Sequence, residues 1–109
     1  MTAGYSGHRA GGHVVAVNKI ADDGTPSPLP PRHDLINHSP TGFEWGYGGS
    51  GPAQLALAIL ADHLKDEAWA ILLHHDFKAQ VIAHLDGGKD WAMSSAYVAS
   101  IVHRLGKRS

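Results

Sequence analysis

The segment Phe43–Leu55 constrains the fold of this chain more than any other part of its sequence. Two aromatic residues lead into four glycines within six positions, and Pro52 follows at the start of an apolar run. Proline suits the first turn of a helix, where its missing N–H costs no hydrogen bond. The pattern predicts a strand, a tight glycine-rich corner and then a buried helix. Such a corner serves either to seat a ligand or to make a sharp structural turn.

The corner contains Gly46-x-Gly48-x-x-Gly51, which formally matches the dinucleotide-binding fingerprint. That fingerprint requires a second parallel strand with an acidic residue about twenty positions on. Here Asp66 and Glu67 occupy that distance, at the predicted start of another helix. The loop also lacks the lysine of a phosphate-binding loop, and Pro52 removes one N–H donor. Nucleotide or phosphate binding by Gly46–Gly51 therefore stays as the alternative hypothesis.

The polar residues of the corner indicate internal hydrogen bonding rather than catalysis. We expect Glu44 to accept hydrogen bonds from glycine N–H groups and Gln54 to cap the helix start. His38 could approach Glu44 across a turn. General acid–base catalysis would favour a second carboxylate beside Glu44, and the motif contains none. Ser50 lacks the glycine two positions on that a nucleophile elbow needs, so we interpret it as a cap or turn residue. We therefore predict a protein that is not an enzyme.

A protein-binding surface is the remaining functional interpretation of the corner. Its candidate contact residues for a partner or ligand are Glu44, Trp45, Tyr47, Gly48, Gly49, Ser50 and Gln54. If the glycines serve the fold alone, the function would lie instead on a histidine-rich or C-terminal surface.

Composition narrows the class of protein further. A formal net charge of −1 argues against nucleic acid as the main partner, because phosphate contacts need a basic surplus. The absence of cysteine predicts a reducing, cytoplasmic setting and excludes thiolate metal sites. The longest apolar run, Leu55–Ala61, is too short to cross a membrane, so no membrane partner is expected.

The nine histidines do not form a recognisable metal motif. Zinc ligands on a helix are usually four residues apart, and no two of these histidines have that spacing within one predicted helix. We place His74 on a solvated face and His75 at the boundary of the apolar side. A composite site of His63, His75 and Asp76 stays open, but we assign no metal and no cofactor to the chain.

The first half of the sequence predicts a small antiparallel sheet. Val14–Val17 forms a strand, and the proline-rich connection over residues 25–34 is extended or at a sheet edge. Leu35–Asn37 and Phe43–Trp45 are the candidate strands of a hairpin. The glycine-rich residues 1–12 are expected to be a flexible N-terminal arm.

The second half predicts helices. The apolar segment Ala53–Leu64 is a buried helix, and Asp66 caps a second helix that runs to about Leu85. Its core stripe recurs every four residues, as Trp69, Leu73, Phe77, Val81 and Leu85. Trp91–Met93 is a short strand, and Ser94 caps a last helix from about Ser95 to Leu105. We predict an α+β fold over residues 1–109 as one domain, with three to four short antiparallel strands on about three helices.

The block Gly42–Ala58 also resembles the signature of a bacterial, plasmid and phage family, domain of unknown function 6166. The resemblance extends to Asp76-Phe77-Lys78 and, near the start, to Tyr5-x-Gly7-x-Arg9. It implies a small self-standing domain carried on mobile elements, without an assigned reaction or cofactor. Such an accessory protein is expected to dock a host protein complex, including a defence complex such as a CRISPR effector.

Overall fold

The computed structural model describes residues 3–106, and the α+β class is confirmed. The strands are β1 (Gly4–Ala10), β2 (His13–Ile20), β3 (Pro26–Pro28) and β4 (Trp91–Ser94). The helices are α1 (Ser50–Leu64), α2 (Glu67–Gln80) and α3 (Ser95–Gly106), with a short 3-10 helix at Ile82–His84.

All strand pairs are antiparallel, and the sheet order is β3-β2-β1-β4. The predicted strand at Val14–Val17 lies within β2, and the proline-rich connection supplies β3 at one edge. Proline cannot donate to a strand ladder, which explains why Pro26 and Pro28 are found in an edge strand.

The N-terminal arm is a wrong prediction, because residues 4–10 form β1, which pairs on both sides. Gly4 and Gly7, two of the glycines that suggested flexibility, are needed for close approach. A Cβ on Gly4 would lie 2.3 Å from the carbonyl oxygen of Met93, and one on Gly7 would lie 2.3 Å from Nε1 of Trp91. Met1 and Thr2 of the predicted arm lie outside the described residues.

The hairpin predicted from Leu35–Asn37 and Phe43–Trp45 is also wrong, since neither segment is a strand. The chain from residue 29 to residue 49 is irregular and is held by side chains rather than by a strand ladder. This long loop connects β3 to α1 and contains the glycine-rich corner.

Helix α1 is the centre of the core, as its apolar sequence predicts. Every residue from Gly51 to Ala61 is buried, and Pro52 occupies the third helical position, where its N–H would have no intrahelical acceptor. Tyr5 and Val17 of the sheet join α1 in one buried cluster.

Helix α2 begins as predicted, because the Asp66 side chain accepts a hydrogen bond from the N–H of Trp69. It ends at Gln80 rather than near Leu85. Within its predicted core stripe Leu73, Phe77 and Val81 are buried, but Trp69 is exposed at the first turn.

Residues 91–106 follow the prediction closely. Trp91–Ser94 forms β4 and pairs with β1, and Ser94 Oγ accepts a hydrogen bond from the N–H of Tyr97 at the start of α3. Across residues 3–106, each helix is too short or too polar to span a bilayer.

Candidate functional site

The glycine-rich corner is anchored by Trp45, whose side chain is only 1% exposed. Its indole Nε1 donates to the carbonyl of Lys89 at 3.0 Å, and its ring meets that of Trp91 edge to face at 5.8 Å between centroids. A tryptophan with its N–H satisfied buries a large apolar area and fixes the surrounding chain. Trp45 thus holds the corner against the β4 region and does not reach the surface.

Gly46 is required by the backbone at this turn. Its φ is +91°, and a Cβ there would lie 2.4 Å from Cα of Gly87. Its N–H donates to the carbonyl of Ile82 at 3.0 Å, so the corner contacts the segment after α2 directly. A side chain at this position would meet both conformational strain and a backbone clash.

The other three glycines differ in what surrounds them. A Cβ on Gly51 would lie 2.7 Å from Cβ of Glu44, so the helix start and the loop approach closely. The atoms nearest to a Cβ on Gly49 would be those of the Tyr47 ring, and a Cβ on Gly48 would meet nothing within 4 Å. The corner therefore has an inner, packed side at Gly46 and Gly51 and an outer side at Gly48 and Gly49.

Glu44 is paired with Arg9 of β1, which the sequence interpretation missed. The guanidinium donates to both carboxylate oxygens, through Nη2 to Oε1 and through Nη1 to Oε2 at 3.3 Å. The hydrogen bond from Arg9 is the main reason that the pKa of Glu44 lies below its usual value. The predicted acceptance from glycine N–H groups is wrong, because the corner N–H that Glu44 does bind is that of Trp45.

Arg9 has a second contact at the corner. Its guanidinium carbon lies 4.3 Å from the centroid of the Trp45 ring, and its Nη1 also donates to the carbonyl of Gly12. The alternating Tyr5-x-Gly7-x-Arg9 pattern was the available signal, because alternate residues of a strand share one face. The glycines of residues 1–12, which predict a flexible arm, hide this signal.

Tyr47 is an exposed aromatic side chain of the corner, at 52% of its full accessible area. Beside it lies an open hollow of about 350 Å³ whose lining includes His13, Thr41, Phe43, Glu44, Tyr47 and Ser50. Ser50 is the first residue of α1 and is exposed, while the cap position belongs to Gly49. Of the predicted contact residues, Tyr47, Gly48 and Ser50 thus lie on the outside, with Gly49 half-buried beside them.

Gln54 does not cap the helix start, contrary to the prediction. It is fully buried, and its Oε1 accepts hydrogen bonds from the N–H groups of His38 and Ser39 at 2.8 and 3.1 Å. Its Nε2 donates to the carbonyls of Pro31 and Ile36. All four hydrogen bonds go to the irregular loop, because Gln54 lies one turn inside α1 and faces that loop.

The histidine assignments on α2 are reversed relative to the prediction. His74 is 1% exposed, whereas His75 is on the surface. His38 does not approach Glu44, because its Nε2 lies 3.0 Å from Nε2 of His74. Among the described residues, the group close enough to share a metal ion is His38, His74 and His75, not the composite of His63, His75 and Asp76.

The surroundings of both inner rings of this group favour the neutral form. Burial is the main cause that lowers the pKa of His74 and of His38 below the usual histidine value. The Nδ1 of His74 lies 2.6 Å from the carbonyl oxygen of Ile71, which can only accept, so Nδ1 carries the proton. The Nε2 of His74 is then an unprotonated nitrogen that faces His38.

A second exposed surface lies on α2 and was also missed. Trp69, Ile71 and Leu72 are large apolar side chains left exposed on this helix, and we call them the α2 outer surface. Leu72 has the largest exposed fraction of the three, at 62%. The four-residue repeat placed Trp69 in the core, although a residue in the first turn can extend past the packed region.

Comparison with known proteins gives a family but no described function. No curated protein and no solved structure shows significant similarity to this chain. The family DUF6166, described as a family of unknown function, matches residues 5–104, which include the corner, Arg9 and the group of His38, His74 and His75. The chain therefore belongs to the DUF6166 family.

Proposed function

We propose that this protein is a non-enzymatic binding protein that docks a protein partner through Tyr47, Gly48, Gly49 and Ser50, which we call the corner surface. The observation that carries the proposal is Tyr47, a half-exposed aromatic side chain on a backbone that is fixed from beneath. Buried Trp45 precedes it by two residues, and Gly46 is locked against Gly87 and Ile82. Exposed tyrosines on rigid frames are typical anchors of protein interfaces.

The chemistry of the corner supports binding over catalysis. The carboxylate of Glu44 is ionised and bound to Arg9, so it has little basicity left for proton transfer. The corner surface needs no large rearrangement to present Tyr47, because the loop beneath it is held by side-chain hydrogen bonds. A surface fixed before binding loses less conformational entropy when a partner docks.

The partner class that we propose is a host protein complex in the cytoplasm. The cytoplasmic setting is supported by a sequence without cysteine. A defence complex such as a CRISPR effector is proposed because the family resemblance implies carriage on phages and plasmids. A plasmid-interference assay tests this part: expression of the protein should restore transformation by a targeted plasmid, and the Tyr47→Ala variant should not.

Quantitative capture from a bacterial lysate tests the corner surface. Tyr47→Ala and Gly48→Arg should each reduce recovery of a stoichiometric partner by at least about tenfold, which corresponds to the loss of one interface hot spot. Gly48 tolerates the larger side chain because a Cβ there meets nothing within 4 Å. Tyr97→Ala is the matched control, since Tyr97 is a similarly exposed tyrosine on α3.

The same assay separates the corner surface from the α2 outer surface. Leu72→Ser removes an exposed leucine without touching the corner. If Leu72→Ser abolishes recovery and folded Tyr47→Ala does not, docking occurs on α2 and the corner assignment is wrong. If Tyr47→Ala, Gly48→Arg and Leu72→Ser all retain the partner, neither surface binds it.

Nucleotide or phosphate binding by Gly46–Gly51 is the second candidate. It is favoured by the N-terminus of α1, because the N–H groups at the start of a helix attract anions. No acidic residue lies in the first turn of α1, and no side chain caps it. It is opposed by the Glu44 carboxylate, which lines the same hollow as Ser50 and Gly51. In a thermal-shift screen, a nucleotide at a hundredfold over its Kd should add about 2.7 kcal/mol of stability. An unchanged Tm across nucleotides and phosphate would remove this candidate.

A further inference from the structure

Three imidazole rings meet where the irregular loop crosses α2. His74 and His75 have ring centroids 4.1 Å apart, and the His38 ring lies 5.1 and 5.4 Å from them. One ligand nitrogen from each residue can be chosen so that all three atoms lie within 4.8 Å of one another. The group joins positions separated by 36 residues in sequence, so it is a product of the fold.

His74 is oriented as a metal ligand would be. Its Nδ1–H donates to the carbonyl of Ile71 at 2.6 Å, which leaves the Nε2 lone pair directed at His38. Histidines that bind metals commonly donate their other ring N–H to a carbonyl or carboxylate, and this contact fixes the ring and its tautomer. The side chain is almost fully buried, so this orientation does not depend on solvent.

His38 is held in place through its backbone N–H group. Its N–H donates to Oε1 of Gln54 at 2.8 Å, and the next N–H, that of Ser39, binds the same oxygen. Gln54 is buried in α1, so the loop carrying His38 is held to the centre of the core. The site therefore has two ligands on a rigid support before any ion arrives.

The distances fit a zinc ion. Zinc–nitrogen bonds of about 2.0–2.1 Å in a tetrahedral site place two ligand nitrogens about 3.3 Å apart. The Nε2 atoms of His38 and His74 are 3.0 Å apart, so they must separate slightly and both rings must turn until their lone pairs point at the ion rather than at each other. His75 is exposed and can turn its ring to bring a third nitrogen to the same ion.

We propose that His38, His74 and His75 bind a single zinc ion, with water in the fourth position, and that the ion links the irregular loop to α2. In the metal-free protein, Nε2–H of His38 donates to Nε2 of His74. Binding of zinc requires His38 to change tautomer, with the proton lost from Nε2 and one taken up at Nδ1, so that both Nε2 atoms hold the ion. The proposal is independent of the corner surface and of its partner.

Competition with a chromophoric chelator tests the site on the untagged, chelator-stripped chain. We expect uptake of one Zn²⁺ per chain. His75→Ala should weaken the affinity by at least about tenfold, since even an outer-shell change costs 10- to 100-fold. His103→Ala, an exposed histidine on α3, is the matched control and should bind zinc as the wild type does.

Long-range ¹H–¹⁵N correlation of the imidazole groups provides a readout that needs no variant. Added Zn²⁺ should shift the Nε2 signals of His38 and His74 while Nδ1 of His74 stays protonated. Failure of the wild-type chain to take up Zn²⁺ overturns the proposal. So does an affinity that His75→Ala leaves unchanged, or a shift that appears at other histidines and spares these two.

Discussion

The guanidinium carbon of Arg9 lies 4.3 Å from the centroid of the Trp45 ring, so a cation from the sheet covers one face of a buried indole. The same guanidinium binds both oxygens of Glu44. Cation–π contacts and charge-assisted hydrogen bonds are both stronger when water is excluded, and the Arg9 side chain is only 9% exposed. This arrangement ties β1 to the corner through side chains alone.

Glu44→Gln should therefore destabilise the fold by about 1–3 kcal/mol, because it removes the charge that compensates a mostly buried guanidinium. Chemical denaturation at pH 7 measures the free energy of unfolding. Asp34→Asn is the control, since it removes an exposed carboxylate that also pairs with an arginine, Arg32, and should cost clearly less stability than Glu44→Gln. Equal losses in the two variants would contradict this account of the pair.

The same carboxylate should give the wild type part of its acid sensitivity. The pKa of Glu44 in the folded state lies below its usual 4.5, chiefly through Arg9. The resulting stability is therefore present above pH 4.5 and is lost as the pH falls through the lowered folded pKa.

Denaturation curves from pH 6 to pH 3 should lose stability more steeply for the wild type than for Glu44→Gln. Asp23, Asp34 and Asp90 also have lowered pKa values, but they act equally in both proteins and cancel in the difference. Parallel curves for the two proteins would show that Glu44 contributes no such dependence.

The glycines of the corner should divide into two classes. Gly46→Ala should cost more than about 2 kcal/mol, because φ is +91° and the new Cβ would lie 2.4 Å from Cα of Gly87. Gly48→Ala should stay within about 0.5 kcal/mol, because its Cβ meets open space. Thermal unfolding by circular dichroism measures both, and a strongly destabilised Gly48→Ala would contradict the open outer side.

Substitution of Gln54 tests whether its side chain holds the irregular loop in place. Gln54→Leu leaves the N–H groups of His38 and Ser39 without their acceptor and should cost at least about 2 kcal/mol. Gln80→Leu is the control, because that side chain accepts a single hydrogen bond, 3.3 Å long, from Arg104. If both variants lose the same stability, Gln54 does not hold the loop.

The helical half was predictable because its signals are local. Asp66 and Ser94 are caps whose hydrogen bonds lie within three residues, and α1 is apolar around its whole circumference. Strand β1 was missed because its glycines are explained only by Met93 and Trp91, about 90 residues away. A glycine needed for close approach to a distant residue has the same local appearance as a flexible one.

In the candidate site too, local features could be predicted from the sequence, whereas contacts between distant residues could not. The glycine-rich segment located the corner, but the partner of Glu44 is Arg9, and sequence spacing does not show that contact. His74 and His75 are adjacent on one helix and lie about 100° apart around its axis, so the rotation of α2 decides which is buried. Helix phase is fixed by packing against α1, and a four-residue repeat leaves it uncertain by about one position.

The central place of β1 in the sheet has a consequence for synthesis on the ribosome. β1 and β2 can pair as a hairpin as soon as both have emerged. The other side of β1 must wait for β4, because Gly4 pairs with Ser94 and Gly7 with Trp91. Pairing over so long a separation forms slowly. The nascent chain thus keeps an open strand edge at least until β4 has emerged, and it is during this interval that association with a chaperone would protect it.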